Sequence, residues 1–256
     1  MDSKKEIELS SKKNIWKNLE EIYQKLKELE LKKEKIEQEI EKTKKEMDRL
    51  YQETPVAQEQ KKEIKKRKLW YENYLWFYTT NNFLVIAGKN AKQNDELYAK
   101  HLKEEDLFFH AEIIGAPATI LKNGLKAKEK DILETAQWAA SFSSAWKKKI
   151  ASIDVYYVKK EQITKHSAGQ YVGKGAFLIL GKRNWLKDIE LALKIIKENE
   201  QFYVLPKNHS KNKNNLVFLY PGDIEKEKAI DIIYQRTKIK KEEISSRLPS
   251  GGYEIK

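Results

Sequence analysis

The sequence contains no cysteine, few prolines and glycines (five and ten in 256 residues), and no apolar run long enough to cross a membrane. Without cysteine, disulfide bonds and zinc sites built on thiolates are excluded, and the composition fits a reducing compartment. The first residues are too polar for the apolar core of a secretory signal. We therefore expect a cytoplasmic protein that makes no membrane contact.

Charge is abundant and unevenly distributed along the chain. The 51 Lys and Arg residues exceed the 39 Asp and Glu residues, which gives a net charge of +12. Residues 1–60 hold 14 basic and 15 acidic side chains, so residues 61–256 hold the remaining 37 and 24 and carry a net charge of +13. Such an excess favours an anionic partner, usually nucleic acid, for the second part of the chain.

An apolar stripe with coiled-coil spacing runs through residues 15–50. Its positions recur at alternating intervals of four and three residues, with the polar Lys33 and Thr43 at two of them, and its apolar members are Ile15, Leu19, Ile22, Leu26, Leu29, Ile36, Ile40, Met47 and Leu50. This pattern predicts a coiled-coil helix over residues 1–54. So narrow a stripe cannot bury itself and requires a partner helix, for which a second copy of the chain is one candidate.

Strand and helix patterns alternate after a basic linker at residues 55–69. Amphipathic spacing predicts a helix over residues 91–102, capped by Asn90, and another over residues 128–148. Short apolar runs predict strands over residues 83–87, 106–110, 116–121 and 175–180, and alternation of side chains predicts another over residues 152–158.

The order of these elements predicts an α+β fold, in which the long coiled-coil helix precedes two further parts. The first is a mixed, largely antiparallel sheet domain with packed helices over residues 70–186. The second is a small α/β segment with a tail over residues 187–256, where Asp223 is expected to cap a helix over residues 224–237.

Six aromatic residues are concentrated between Trp70 and Tyr78. Helical spacing would place Trp70, Tyr74 and Phe77 on one face, which indicates a hydrophobic plug. Exposed rings at this spacing would instead stack on unpaired bases. Both interpretations stay open, and core packing is favoured.

A basic, glycine-rich segment is the best candidate for contact with RNA. Within Lys165–Gly175 the chain combines two lysines with His166, Tyr171 and three glycines. Lys182, Arg183 and Asn184 follow directly after Gly181. Lysine and arginine bind phosphates, a tyrosine ring stacks on bases, and glycine permits close approach of the backbone.

His110 ends a predicted strand in the motif FFHAE. Because cysteine and His-x-x-x-His spacing are both lacking, a hydrogen-bonded structural histidine is favoured over a metal ligand. No nucleophile–base pair, Walker-type phosphate loop or carboxylate pair at metal spacing occurs in the sequence. We therefore expect no catalytic residue, no metal and no cofactor.

The order of these motifs resembles the RNA-binding domain of the NFACT family of ribosome quality-control factors, in its archaeal form. The resemblance is carried by the aromatic cluster, the strand that ends at Gly88, the FFHAE motif, and the segment KEQITKHSAGQYVGKGAFLILGKRNWL. His110 and Glu112 belong to the family signature. Gln170 stands where the family usually has a glutamate.

The resemblance implies an adaptor that binds the large ribosomal subunit, its rRNA and tRNA. Such a factor associates with subunits carrying stalled peptidyl-tRNA and supports tRNA recruitment for untemplated alanine tailing, while the ribosome performs the peptidyl transfer. It is therefore not expected to be an enzyme. The RNA-contact candidates are His110, Glu112, Lys165, His166, Tyr171, Lys174, Lys182, Arg183 and Asn184.

The family's glycosylase-like N-terminal half has no counterpart in this sequence. The second candidate partner for the coiled coil is therefore that half, encoded as a separate chain. The alternative function is a coiled-coil interaction protein whose basic domain docks on acidic protein surfaces and has no tRNA role. A third reading, a surface adhesin, is disfavoured because no secretory signal is recognised.

Overall fold

The structure, a computed structural model, describes residues 14–53, 69–167, 170–198, 201–211 and 216–256. The chain divides into two compact units, Met1–Lys68 and Leu69–Lys256. Except for Leu69, the predicted basic linker lies outside the described residues. The predicted α+β class is confirmed, because a long helix is followed by antiparallel sheets and further helices.

The first unit contains one long helix, α1 (Ile15–Glu53). Asn14 caps it, because its Oδ1 accepts a hydrogen bond from the backbone N–H of Lys17 at 2.9 Å. Exposed ion pairs between residues four apart, such as Glu28–Lys32 at 2.7 Å, support the helix weakly. The predicted helix is confirmed, and its pairing as a coiled coil stays a prediction.

The second unit begins with a 3-10 turn, Trp70–Asn73, and continues through fourteen strands and five helices among the described residues. Its helices are α2 (Ala91–Glu96), α3 (Glu129–Ser141), α4 (Ser144–Lys147), α5 (Lys226–Thr237) and α6 (Lys241–Arg247), the first extended by a π-helical turn, Leu97–His101. Its strands are β1 (Leu75–Tyr78), β2 (Leu84–Ala87), β3 (Leu107–Ala111), β4 (Thr119–Leu121), β5 (Ser152–Lys159), β6 (Ile163–Thr164), β7 (His166–Ser167), β8 (Gln170–Tyr171), β9 (Leu178–Ile179), β10 (Asn184–Glu190), β11 (Leu193–Glu198), β12 (Gln201–Pro206), β13 (Leu216–Ile224) and β14 (Tyr253–Ile255).

The main sheet has six antiparallel strands in the order β1-β2-β4-β3-β5-β10. Because side chains alternate along a strand, adjacent residues of β3 point to opposite faces of the sheet. Phe109 packs in the core that includes α3, where the rings of Phe77 and Trp138 lie 4.6 Å apart. Phe108 packs on the other face, in a second core with Tyr71 and Tyr74. The sheet is therefore covered on both faces.

A second antiparallel sheet, β12-β11-β13-β14, packs with α5 and α6. Its core is continuous with that of α3 and α4. The indole Nε1 of Trp146 in α4 donates to the carbonyl of Gly252 at 3.0 Å, and its ring lies 5.6 Å from that of Tyr253. The C-terminal residues thus support a helix that belongs to the earlier part of the chain.

Three local expectations are wrong. Trp70 and Phe77 do not share a helical face, because the segment is a 3-10 turn followed by a strand. The helix expected over residues 128–148 breaks after Ser141 and restarts at Ser144, whose preceding residue Ser143 caps it. Asp223 lies in β13 and pairs with Lys149 instead of capping α5. By contrast, Asn90 caps α2 through its side chain, as predicted.

Candidate nucleic-acid interface

An open groove of about 790 Å³ lies at the end of β3, on the sheet face opposite α3. The loop Glu112–Pro117 forms one wall, together with Ser144 and Lys147 of α4. The start of α2 and residues Lys174–Phe177 form another. His110 and Tyr156 line the groove on its sheet side. We call this feature the groove below.

A row of rings crosses three neighbouring strands at the groove. His110, Tyr156 and Trp185 are register partners in β3, β5 and β10 and therefore share one face. The ring of Tyr156 lies 5.8 Å from that of His110 and 5.2 Å from that of Trp185. Sheet pairing, rather than proximity in sequence, assembles this row.

Cationic side chains lie over this row. The guanidinium of Arg183 is 4.7 Å from the centroid of the Tyr156 ring and 5.8 Å from that of Trp185. Lys187 approaches Trp185 to 4.8 Å and also bonds Asp154 at 2.6 Å. A cation over an aromatic face is attracted by the ring quadrupole. The row therefore presents positive charge beside stacking surfaces.

His110 is neutral at physiological pH. Burial lowers the pKa of its imidazole to about 4, and the nearby positive charge of Arg183 acts in the same direction. A neutral imidazole offers one hydrogen-bond donor and one acceptor. His110 thus brings a polar, uncharged group to a groove that is otherwise rich in cations.

Gly175 brings the segment that carries Lys174 against the start of α2. Its backbone N–H donates to Asp95 Oδ1 at 3.0 Å, and its φ is +77°. A β-carbon at this position would lie 2.7 Å from the Cα of Ala91. Only glycine combines this left-handed conformation with so close an approach.

Lys165 fixes the segment that carries Lys174 through buried contacts. It is only 5% exposed, pairs with Asp95, and lies with its ammonium 4.4 Å from the Phe177 ring centroid. Desolvated ion pairs of this kind position the elements that carry them. Among the sequence-predicted RNA contacts, Lys165 is therefore placed in the support of the groove rather than on its surface.

The structure brings four of the predicted residues to the groove, namely His110, Glu112, Lys174 and Arg183. His166 and Lys182 are exposed but do not line it. Asn184 pairs opposite Tyr157, on the other sheet face from Trp185. Tyr171 lies in β8, and its side chain is outside the described part of the chain. The RNA-binding role of all nine residues stays a prediction.

Several groove residues escaped the sequence reasoning, including Tyr156, Ser144, Lys147 and Ile114. Alternation in residues 152–158 indicates that Tyr156 and Tyr157 face opposite ways, but it does not tell which face is open. Lys147 belongs to a helix that sequence periodicity merged with α3. Nothing in the sequence distinguishes Ile114 from its buried apolar neighbours.

No group of three or more His, Asp or Glu side chains among the described residues is arranged to hold a metal ion. No helix in the described ranges is long and apolar enough to span a bilayer.

Comparison with known proteins gives consistent matches. A family model described as the NFACT protein RNA binding domain matches residues 73–181. The archaeal Rqc2 homolog aRqcH of Methanocaldococcus jannaschii is 37% identical over 209 residues, which cover 78% of this chain and 31% of that protein. The ribosome quality control complex subunit NEMF homolog of Drosophila melanogaster is 36% identical over 134 residues, covering 51% of this chain and 13% of that protein.

A solved structure is also similar, the C-terminal part of the fibronectin/fibrinogen-binding protein of Streptococcus suis. It is 24% identical, covers 50% of this chain and 47% of that chain, and superposes with a TM-score of 0.40. The present chain thus spans about a third of the length of the archaeal relative.

Proposed function

Because this chain belongs to the NFACT family through the RNA-binding domain at residues 73–181, we propose that it is an RNA-binding component of ribosome quality control. The Drosophila relative is named as a homolog of a ribosome quality control complex subunit, and the RNA-binding domain model covers most of the residues that line the groove. We place RNA binding at the groove and at the aromatic row beside it.

The observation that supports this proposal is the combination of cations with aromatic faces on one surface. Lys147, Lys174 and Arg183 line the groove, and Trp185 lies beside it with 38% of its surface exposed. RNA offers phosphates to the cations and unstacked bases to the rings.

In the finer form of the proposal, the RNA is rRNA and tRNA on large ribosomal subunits that carry stalled peptidyl-tRNA. The chain would support tRNA recruitment for untemplated alanine tailing while the ribosome makes the peptide bonds. Its own groove then needs only to bind and orient RNA. The adaptor role is consistent with the chemistry of the groove, whose polar groups are cations, a carboxylate and a neutral imidazole.

A second candidate function is a coiled-coil interaction protein with a basic docking domain. It is favoured by the exposed apolar stripe of α1, where Leu26 and Leu29 each expose about half of their surface. Under this alternative the basic domain binds acidic proteins, and RNA affinity depends on charge alone.

Binding of labelled tRNA and large-subunit rRNA, measured by fluorescence anisotropy across a salt titration, tests the proposal. Replacing Lys147, Lys174 and Arg183 together with Ala is expected to weaken binding and to reduce the slope of log Kd against log salt by up to about three. The matched control replaces Lys103, Lys126 and Lys240, which are exposed and do not line the groove.

The two triple variants lose the same net charge, so any difference in their affinity for RNA reflects where the charges lie and not how many are lost. Equal loss of affinity in both would contradict the groove assignment and favour the docking alternative. Loss of affinity confined to the groove variant would support RNA binding at the groove.

A further inference from the structure

We propose that the groove receives one unpaired nucleotide of the bound RNA, with its base against Ile114 and its phosphates at Lys147, Lys174 and Arg183. This inference rests on the proposed function and specifies the form of RNA that the site takes.

Ile114 is the first observation. It is 95% exposed, at the rim of the groove. Single exposed apolar residues are common on protein surfaces, so exposure by itself indicates nothing. What distinguishes Ile114 is its place on a wall of a cationic groove, where an apolar contact and several charges can engage one ligand.

The loop that carries Ile114 is held in a defined conformation. Ser144 Oγ donates to the carbonyl of Ile114 at 2.6 Å, and the N–H of Ile113 donates to the carbonyl of Ala111 at 2.7 Å. The next residue, Gly115, adopts a φ of +87°, and a β-carbon there would lie 3.2 Å from the Cβ of Ser144. The apolar side chain is therefore presented on a pre-organised loop, which reduces the entropic cost of binding.

Charge selects the ligand. Lys147, Lys174 and Arg183 line the same groove, so an anionic ligand is favoured there. Glu112, next to Ile113 in the loop, adds a carboxylate that repels phosphate. The phosphates are thus directed to the cations, and the uncharged base is left for the wall with Ile114.

The polar groups suit the edge of a base. Glu112 can accept from an exocyclic amino group, while the neutral His110 ring, which also bonds the backbone at Ala111 and Ala116, places no charge beside the base. A volume of about 790 Å³ lies within the range of about 300–1,000 Å³ that is typical of small-ligand sites. This volume is sufficient for one nucleotide.

These features require an unpaired base. In a duplex the faces of the bases are covered by stacking, and the deep major groove of A-form RNA hides the base edges from side chains. Only a bulged, looped or terminal nucleotide can place a base face on Ile114 and its edge toward His110.

Two RNA hairpins test the proposal with the whole chain. One has a fully paired stem, and the other has the same length and charge but carries a single bulged 2-aminopurine. Wild-type protein is expected to bind the bulged hairpin about tenfold more tightly, because packing of the base removes apolar surface of Ile114 from water. The 2-aminopurine fluorescence is expected to change on binding.

Ile114→Ser is expected to reduce this preference to about twofold or less and to leave affinity for the paired hairpin unchanged, because side-chain bulk but no charge is lost. The variant should fold normally, since the side chain is exposed. Leu125→Ser is the matched control, because Leu125 is 52% exposed and does not line the groove.

Equal affinity of wild-type protein for the two hairpins would overturn the proposal, although RNA binding itself would stand. Ile114 would then be assigned to a contact with a protein. Persistence of the preference in Ile114→Ser would also overturn it. Failure to bind either hairpin, or tRNA and rRNA, would instead refute the proposed function on which it rests.

Discussion

At the scale of single residues, the groove depends on groups that contact no ligand. Asp95 accepts from the backbone of Gly175 and from the buried ammonium of Lys165, and so it ties two segments 80 and 70 residues away in the chain. A charge-assisted bond between desolvated groups is more stable than one in water. The placement of Lys174 in the groove follows from these buried contacts.

Replacing Gly175 with Ala should therefore disturb the groove. The added methyl group would meet the backbone of Ala91 at 2.7 Å in a left-handed conformation, and we expect destabilisation of about 1–3 kcal/mol with weaker RNA binding. Urea denaturation measures the first effect and anisotropy the second.

The neighbouring glycine supplies the control for that experiment. A β-carbon at Gly173 would meet no atom within 4 Å. Gly173→Ala should thus change the free energy of unfolding by no more than about 0.5 kcal/mol. Similar effects of the two substitutions would contradict the close-approach argument.

At the scale of elements, the helix α1 presents a surface that its own fold does not cover. Leu19, Leu26, Leu29, Ile36 and Ile40 expose between 45% and 57% of their surface. These side chains are already about half buried, so covering the rest of each is worth on the order of 1 kcal/mol before the entropic cost of association, which favours a partner helix. The two candidate partners, a second copy and a separate N-terminal half, both use this stripe.

Leu26→Asp combined with Leu29→Asp is expected to abolish association through α1, because charges would enter an apolar seam. Analytical ultracentrifugation of the chain alone, and with a candidate N-terminal half, measures the loss. Lys27→Asp changes the net charge equally but lies off the stripe, so association should persist. If the wild-type chain stayed monomeric both alone and in the presence of the candidate N-terminal half, the need for a partner would be refuted.

At the scale of the whole molecule, residues Leu69–Lys256 form one compact unit. Trp146 and Tyr253 are fully buried against each other, and residues 191–196 share the core with α3. Ser250 also lines the groove, far from the other wall residues in sequence. The predicted boundary between residues 186 and 187 stays a prediction, and the extent of this shared core makes it directly testable.

We expect a fragment of residues 69–256 to unfold cooperatively and a fragment of residues 69–186 to be much less stable. Removing the C-terminal part would expose Trp146 and leave its indole N–H without the Gly252 acceptor. Thermal unfolding followed by near-ultraviolet circular dichroism compares the two fragments.

Tyr253→Ala in the longer fragment checks the same contact without truncation. We expect a loss of about 3–5 kcal/mol, because a large buried ring is removed. If the shorter fragment melted as cooperatively and at the same temperature as the longer one, the predicted domain boundary would be supported and the shared core would be unimportant.

Much of the architecture could be predicted from local patterns. The 4-3 spacing of α1, the short apolar runs of β2 and β3, the alternation in β5 and the Asn90 cap depend on residues near each other in sequence, and all appear in the structure. The order of motifs was sufficient to indicate the family, because the glycines and aromatics of a domain occur in a characteristic sequence. Helix α5 was predicted with a wrong cap, since Asp223 is held by the distant Lys149.

By itself, therefore, the sequence determined the α+β class, the helical N-terminal segment, the family and the basic character of the second unit. Only the tertiary structure decided which basic residues are accessible. Lys165 and Lys174 look equivalent in sequence, yet one is buried against Asp95 and the other lines the groove. The row of His110, Tyr156 and Trp185 likewise exists only because three strands pair in one register. The physical reason is that burial and cross-strand contact depend on residues far apart in the chain, which local periodicity cannot report.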